Sequence, residues 1–142
     1  MGYSNYASIR DAIKSIFETV TGAKCIEKDL YENISDLSQF YTGNRVRVSF
    51  IRRIRLRAER WSNLYYEEAE TFEVHYLEAY QDGKEAEFQN ILDSIISSIE
   101  NNPTLNGLVL DTSPVNVEVD FFDWGGVMCR RAIFTIETKE GI

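Results

Sequence analysis

Residues 45–58, RVRVSFIRRIRLRA, decide the fold. Val46, Val48, Phe50, Ile54, Leu56 and Ala58 occupy even positions, broken only by Arg52, while Arg45, Arg47, Arg53, Arg55 and Arg57 occupy odd ones. A period of two predicts a strand with one buried face and one wet face. The wet face is mostly arginine. What it meets is the functional question, because no catalytic motif elsewhere in the chain answers it.

Downstream, TFEVHYLEAY at residues 71–80 repeats the pattern with Phe72, Val74, Tyr76 and Tyr80 on one parity. Two such runs predict an antiparallel hairpin. Glu67, Glu68, Glu70 and Glu73 then fall beside the arginines, in cross-strand pairs of about 0.2–1 kcal/mol each that set register more than stability. His75, on the wetter parity with no second histidine to work with, is expected to be a plain surface residue. Upstream, Ile9, Ala12, Ile13, Ile16, Phe17 and Val20 give residues 8–21 a helical stripe ended by Gly22. Phe88, Ile91, Leu92, Ile95, Ile96 and Ile99 do the same for residues 85–101.

Between the first helix and the arginine strand, residues 23–44 lose periodicity and gain turn chemistry, with a short strand expected in AKCIEKDL. A loop this long is functional or orders on assembly, and Leu30, Tyr31, Leu37, Phe40 and Tyr41 make it apolar for a loop. It is either a lid on its own core or an arm on a neighbouring subunit. Near the C-terminus, Leu108, Val109 and Leu110 suggest a short edge strand. Val115, Val117, Val119 and Phe121 then alternate with polar residues and turn through DWGG into residues 127–137. Trp124 in that turn either caps the sheet or faces a partner. The expected fold is α+β, two helices packed on one mainly antiparallel sheet in the order α-β-β-α-β-β, forming a single domain over residues 1–142.

Composition narrows the function. At 142 residues, 44% hydrophobic and 27% charged, the chain is a globular domain rather than a disordered one. No apolar run reaches membrane-spanning length and the N-terminus lacks a signal-peptide build, so no membrane partner is expected and folding should occur in the cytoplasm. Cys25 and Cys129 are expected to be buried free thiols. Residues 45–60 hold seven arginines and one glutamate, a local +6 within a net charge of −8, leaving −14 on the rest. Such polarity suits head-to-tail or ring association better than nucleic-acid binding, since phosphates would be repelled by most of the chain. Single-strand and RNA-binding sheets also intersperse aromatics among their basic residues, whereas this face offers only Ile51 and, at its end, Trp61.

Glu118 and Asp120 on one strand, with Glu137 and Lys139 on the last, faintly suggest a metal-dependent nuclease, the most remote of the alternatives. Phosphate loops, nucleophile elbows and zinc-ligand pairs are missing from the sequence. The expectation is therefore no enzyme, no catalytic or metal residues and no cofactor. Candidate subunit-interface residues are Arg45, Arg47, Arg53, Arg55, Arg57, Glu67, Glu68, Glu70, Tyr31, Phe40, Tyr41, Trp61 and Trp124.

The order of SIRDAIKSIFETVTG, the strand pair RVRVSF and ETFEVHYLEAY, the helix EFQNILDSIISSIENN, the link LNGLVL and the final pair VNVEVDFF and CRRAIFTIE resembles the tail terminator (tail completion, neck) proteins of tailed bacteriophages. The resemblance covers nearly the whole chain and rests on layout. It implies a virion structural protein, assembled in the bacterial host cytoplasm, that forms a homo-oligomeric ring, usually a hexamer. The ring would cap the tail tube and meet the head-completion proteins, with genome DNA passing through its lumen. The other function class open to this chain is a dimeric cytoplasmic ligand-binding or regulatory α+β module.

Overall fold

The computed structural model describes residues 6–60 and 66–141. Two sixteen-residue helices, α1 (Tyr6–Thr21) and α2 (Glu85–Glu100), lie on one face of a mixed, mostly antiparallel sheet. The strands are β1 (Cys25–Glu27), β2 (Tyr41–Thr42), β3 (Arg45–Arg60), β4 (Tyr66–Ala79), β5 (Asp111–Trp124) and β6 (Val127–Gly141). They are ordered β1-β3-β4-β6-β5, with β2 paired to β3 off that path. The expected helices and both hairpins are present. Short β1 runs parallel to β3, its Cys25 opposite Ser49.

Each helix forms because its apolar residues recur every three or four positions. Ile9, Ile13 and Phe17 of α1 and Phe88, Leu92, Ile95 and Ile99 of α2 are buried against Ile51, Phe72, Val74, Tyr76, Ala132, Phe134 and Ile136 of the sheet. Gly22, at φ +70, ends α1 by taking the left-handed position that side chains avoid. The β5–β6 turn has Trp124 opposite Val127, with Gly125 and Gly126 both at positive φ, as a two-residue hairpin turn requires. Leu108–Leu110 does not form the expected edge strand. Leu105 and Asn106 adopt left-handed backbone, and the resulting turns bury Leu105 and Val109 instead.

Part of the second face of the sheet is also buried, which corrects the expectation of one wet face, while Arg55, Arg57, Asn116 and Glu118 on that side stay exposed. Tyr31, Leu37 and Phe40 from residues 28–44 fold down onto Val46, Val48, Phe50, Leu77, Trp124 and Cys129. The long loop is thus a lid on its own sheet, not an arm reaching outward. It carries two single-turn 3-10 segments and ends in β2.

A bulge at Ile54 changes the meaning of the arginine strand. Arg53 is opposite Phe72, but Arg55 is opposite Thr71, so one residue is added to β3 and its side chains exchange faces there. Before the bulge, Arg47 and Arg53 share the helix side with Ile51. Beyond it, Arg55 and Arg57 turn to the loop side, and Leu56 and Ala58 to the helix side.

Candidate functional site

The bulge divides the candidate arginines by what they meet. Arg45 donates to the Ala79 carbonyl at 3.3 Å and lies 3.7 Å from Glu78. Arg47 donates to the Thr21 carbonyl at 2.8 Å and to the Tyr76 hydroxyl at 3.3 Å. Arg53 pairs with Glu70 at 3.1 Å and sits over the Tyr6 ring at 4.8 Å. These three are tied to the rest of the protein by internal bonds while staying partly accessible, Arg53 the most so. Arg55 and Arg57 are exposed and have no ion-pair partner among the described residues.

Tyr31, Phe40 and Trp124 are buried in the loop-side core, which removes them from any subunit surface in this structure. Trp124 stacks on Phe40 at 5.2 Å, and its indole N–H donates to the Tyr31 carbonyl at 2.9 Å. Tyr41 is exposed, and Glu67 and Glu68 are half-buried. Glu70 is buried: burial pushes its carboxyl above the ordinary value and Arg53 only partly offsets this. Trp61 lies outside the described residues.

Glu68, Glu70 and Glu140 bring carboxylate oxygens within 4.8 Å of one another. A hard cation takes such donors, but one of them is already held by the Arg53 guanidinium. The nuclease constellation does not converge. Asp120 is gripped by Arg131 in a two-pronged pair at 2.9 and 2.6 Å. Glu118 is opposite Ile133, and Lys139 lies six residues further along β6, about 20 Å at strand rise. The thiols of Cys25 and Cys129 lie in the cores on opposite faces of the sheet, and burial pushes them up to about 12 and about 11. They are inert as nucleophiles near neutral pH.

His75 is not the surface residue its parity suggested. It is buried on the loop side between Tyr31 and Glu73. Its Nε2–H donates to Glu73 at 2.7 Å, since a carboxylate can only accept, and its Nδ1 therefore accepts from the Tyr31 hydroxyl at 2.5 Å. Arg52 donates to the same Glu73 oxygen, Oε1, at 2.7 Å, and Arg131 donates to the Tyr31 oxygen at 3.1 Å. The network thus runs from Arg52 to Asp120 and ties the lid to four strands.

Burial draws the imidazole below its ordinary 6.5, and Glu73 restores only part of the loss. The unfolded chain therefore takes up this proton first on acidification. The neutral histidine's contribution is intact above about pH 6.5 and is lost as the pH falls through the depressed folded value. We expect hydrogen-exchange protection of residues 31–41 to drop between pH 7 and 5, with His75→Gln flattening that slope. Equal slopes in both proteins would remove His75 as the cause. Asp120, held low by Arg131, and Glu73, where the bonds from Arg52 and His75 outweigh burial, act in a lower window.

The two border strands of the sheet differ in charge. The far half of β3 carries Arg52, Arg53, Arg55, Arg57 and Arg60 against Glu59. The opposite border strand, β5, carries Asp111, Glu118, Asp120 and Asp123 and no lysine or arginine. This acidic border was not among the sequence candidates, although the lack of basic residues throughout residues 111–129 was its signal. No helix among the described residues is long and apolar enough to cross a membrane. Comparison with protein-family models and with curated proteins finds no match for this chain.

Proposed function

We propose that this chain is a structural subunit that associates head to tail into a ring, in the manner of the tail terminators its layout resembles. In that setting the ring caps the tail tube at the virion neck, contacts tube protein and head-completion proteins, and lets genome DNA pass without reading its sequence. The observation that carries this reading is the opposite charge on the two borders of one sheet, a basic far half of β3 and an acidic β5. Unlike borders on one subunit favour a heterologous contact, which forms a ring when its rotation closes, over a two-fold contact that pairs a patch with itself. Consistent with a structural role, His75, Arg131, Asp120 and both thiols are committed to holding the fold.

The test is electron microscopy of the protein mixed with the self-polymerising tail-tube protein of the same phage. Tubes should stop growing and carry a ring of this protein at one end. Tubes of unchanged length with bare ends would sink the reading. A discrete two-fold dimer that binds a small molecule would instead favour the regulatory module.

A further inference from the structure

Both borders of the sheet are open among the described residues. β2 covers β3 only at Arg45 and Val46, and β1 only from Ser49 to Ile51, so β3 has no outer neighbour from Arg52 onward. On the far side β5 pairs only with β6. Unpaired edges of this length expose rows of N–H and C=O groups that bond readily to another strand.

The two edges match in three independent ways. The first is charge, as described above. The second is the arrangement by face. Beyond the bulge, Arg55 and Arg57 lie on the loop side of β3, opposite Thr71 and Ala69, while Leu56 and Ala58 lie on the helix side. On β5, Asn116, Glu118 and Asp120 lie on the loop side, while Val115, Val117, Val119 and Phe121 lie on the helix side. Laid together, arginines meet acids on one face and apolar side chains meet on the other. The exposure of Leu56 (50%), Val119 (37%) and Phe121 (57%) leaves apolar surface on both edges for such a contact. The third is direction. β3, β4, β6 and β5 are successive antiparallel neighbours, so β5 runs opposite to β3. A second copy placed beyond β5 in the same orientation, and shifted along the strands by four to six residues so that the uncovered half of its β3 reaches Glu118, brings that β3 alongside, antiparallel, with its helices on the same side.

We infer that the open edge of β3 in one copy pairs with β5 of the next copy, continuing the sheet from subunit to subunit. This rests on the ring reading above and supplies its contact. Pairing extends the antiparallel ladder, Arg55 and Arg57 face Glu118 across the junction, and Leu56 packs beside Val119 and Phe121. Because the contact is heterologous it closes where the rotation closes, and the twist of a continuous sheet supplies curvature in one sense.

The experiment is sedimentation of the full chain up to millimolar concentration, with two charge-reversed proteins. Arg55→Glu with Arg57→Glu alters one edge, and Asn116→Arg with Glu118→Arg alters the other; all four positions are exposed. Each variant alone should associate at least about tenfold more weakly than the unaltered protein. A one-to-one mixture of the two should recover association, because the reversed edges again meet opposite charge. Raising salt should weaken the unaltered protein. Reversals that leave association unchanged, or a mixture that does not recover it, would overturn edge pairing while leaving a ring built through another surface standing. A protein that stays monomeric throughout, and fails to cap tubes, overturns both.

Discussion

Trp124→Ala is expected to cost about 3–5 kcal/mol, and to free the lid before the rest of the molecule unfolds. Trp124 is the centre of the loop-side core. It stacks on Phe40 at 5.2 Å, meets Phe50 edge-on at 5.6 Å and Tyr31 edge-on at 5.7 Å. Truncation removes the largest side chain in that core and leaves the Tyr31 carbonyl without the indole N–H it accepts from. Gly125 limits any collapse into the gap, since its backbone already packs so closely on the lid that a Cβ there would lie 2.9 Å from the Ser35 oxygen. Denaturant unfolding should report the loss, and hydrogen exchange should place it first in residues 31–41. Trp124→Phe keeps the ring contacts without the donor and should cost clearly less. A loss under about 1 kcal/mol, or lid amides no more open than those of the helices, would show that the lid is held mainly by the His75 network.

The lid is also where the sequence was least legible. Helices and hairpins are encoded in local repeats: Ile9, Ile13 and Phe17 say helix within nine residues, and Val115, Val117 and Val119 say strand within five. The burial of Tyr31 depends on Trp124, 93 residues away, and no local period carries that information. Both lid and arm fitted an apolar loop equally well. His75 was misplaced for the same reason, because its parity is wet only if nothing covers that face.

The bulge did leave a trace. Phe50 and Ile51 are adjacent apolar residues and Arg52 and Arg53 adjacent charges, so alternation fails in the stretch just before Ile54. Two buried faces and a slipped register produce that break together. Treating Arg52 as a lone exception hid both. In the candidate site, Arg55 and Arg57 were placed correctly as exposed. The internal bonds of Arg45, Arg47 and Arg53 were not legible, because their partners Ala79, Thr21 and Glu70 come from other elements. The acidic border needed only a count of missing basic residues, but its meaning depends on strand order, which places β5 at the opposite side of the sheet from β3.

Phe134→Ala should produce a loss of similar size, about 3–5 kcal/mol, with a different distribution. Phe134 is fully buried on β6, an interior strand, opposite Val74 on one side and Val117 on the other. Its ring meets Phe17 of α1 edge-on at 5.0 Å, within the core that also holds Phe88 and Leu92 of α2. The space left by truncation opens beneath the helices, where strands bonded on both sides cannot shift to fill it. Nothing on the loop side is touched directly. The lid nevertheless depends on β4 and β6 for His75 and Arg131, so it cannot outlast the sheet. Hydrogen exchange in Phe134→Ala should therefore show helices, central strands and lid losing protection together, in one cooperative step. Set beside Trp124→Ala, this makes a directional test: the lid opens without the sheet, but the sheet does not open without the lid. Should Phe134→Ala leave lid protection at its original level while the helices exchange freely, the two faces would be independent, and the polar network from Arg52 to Asp120 would not couple them.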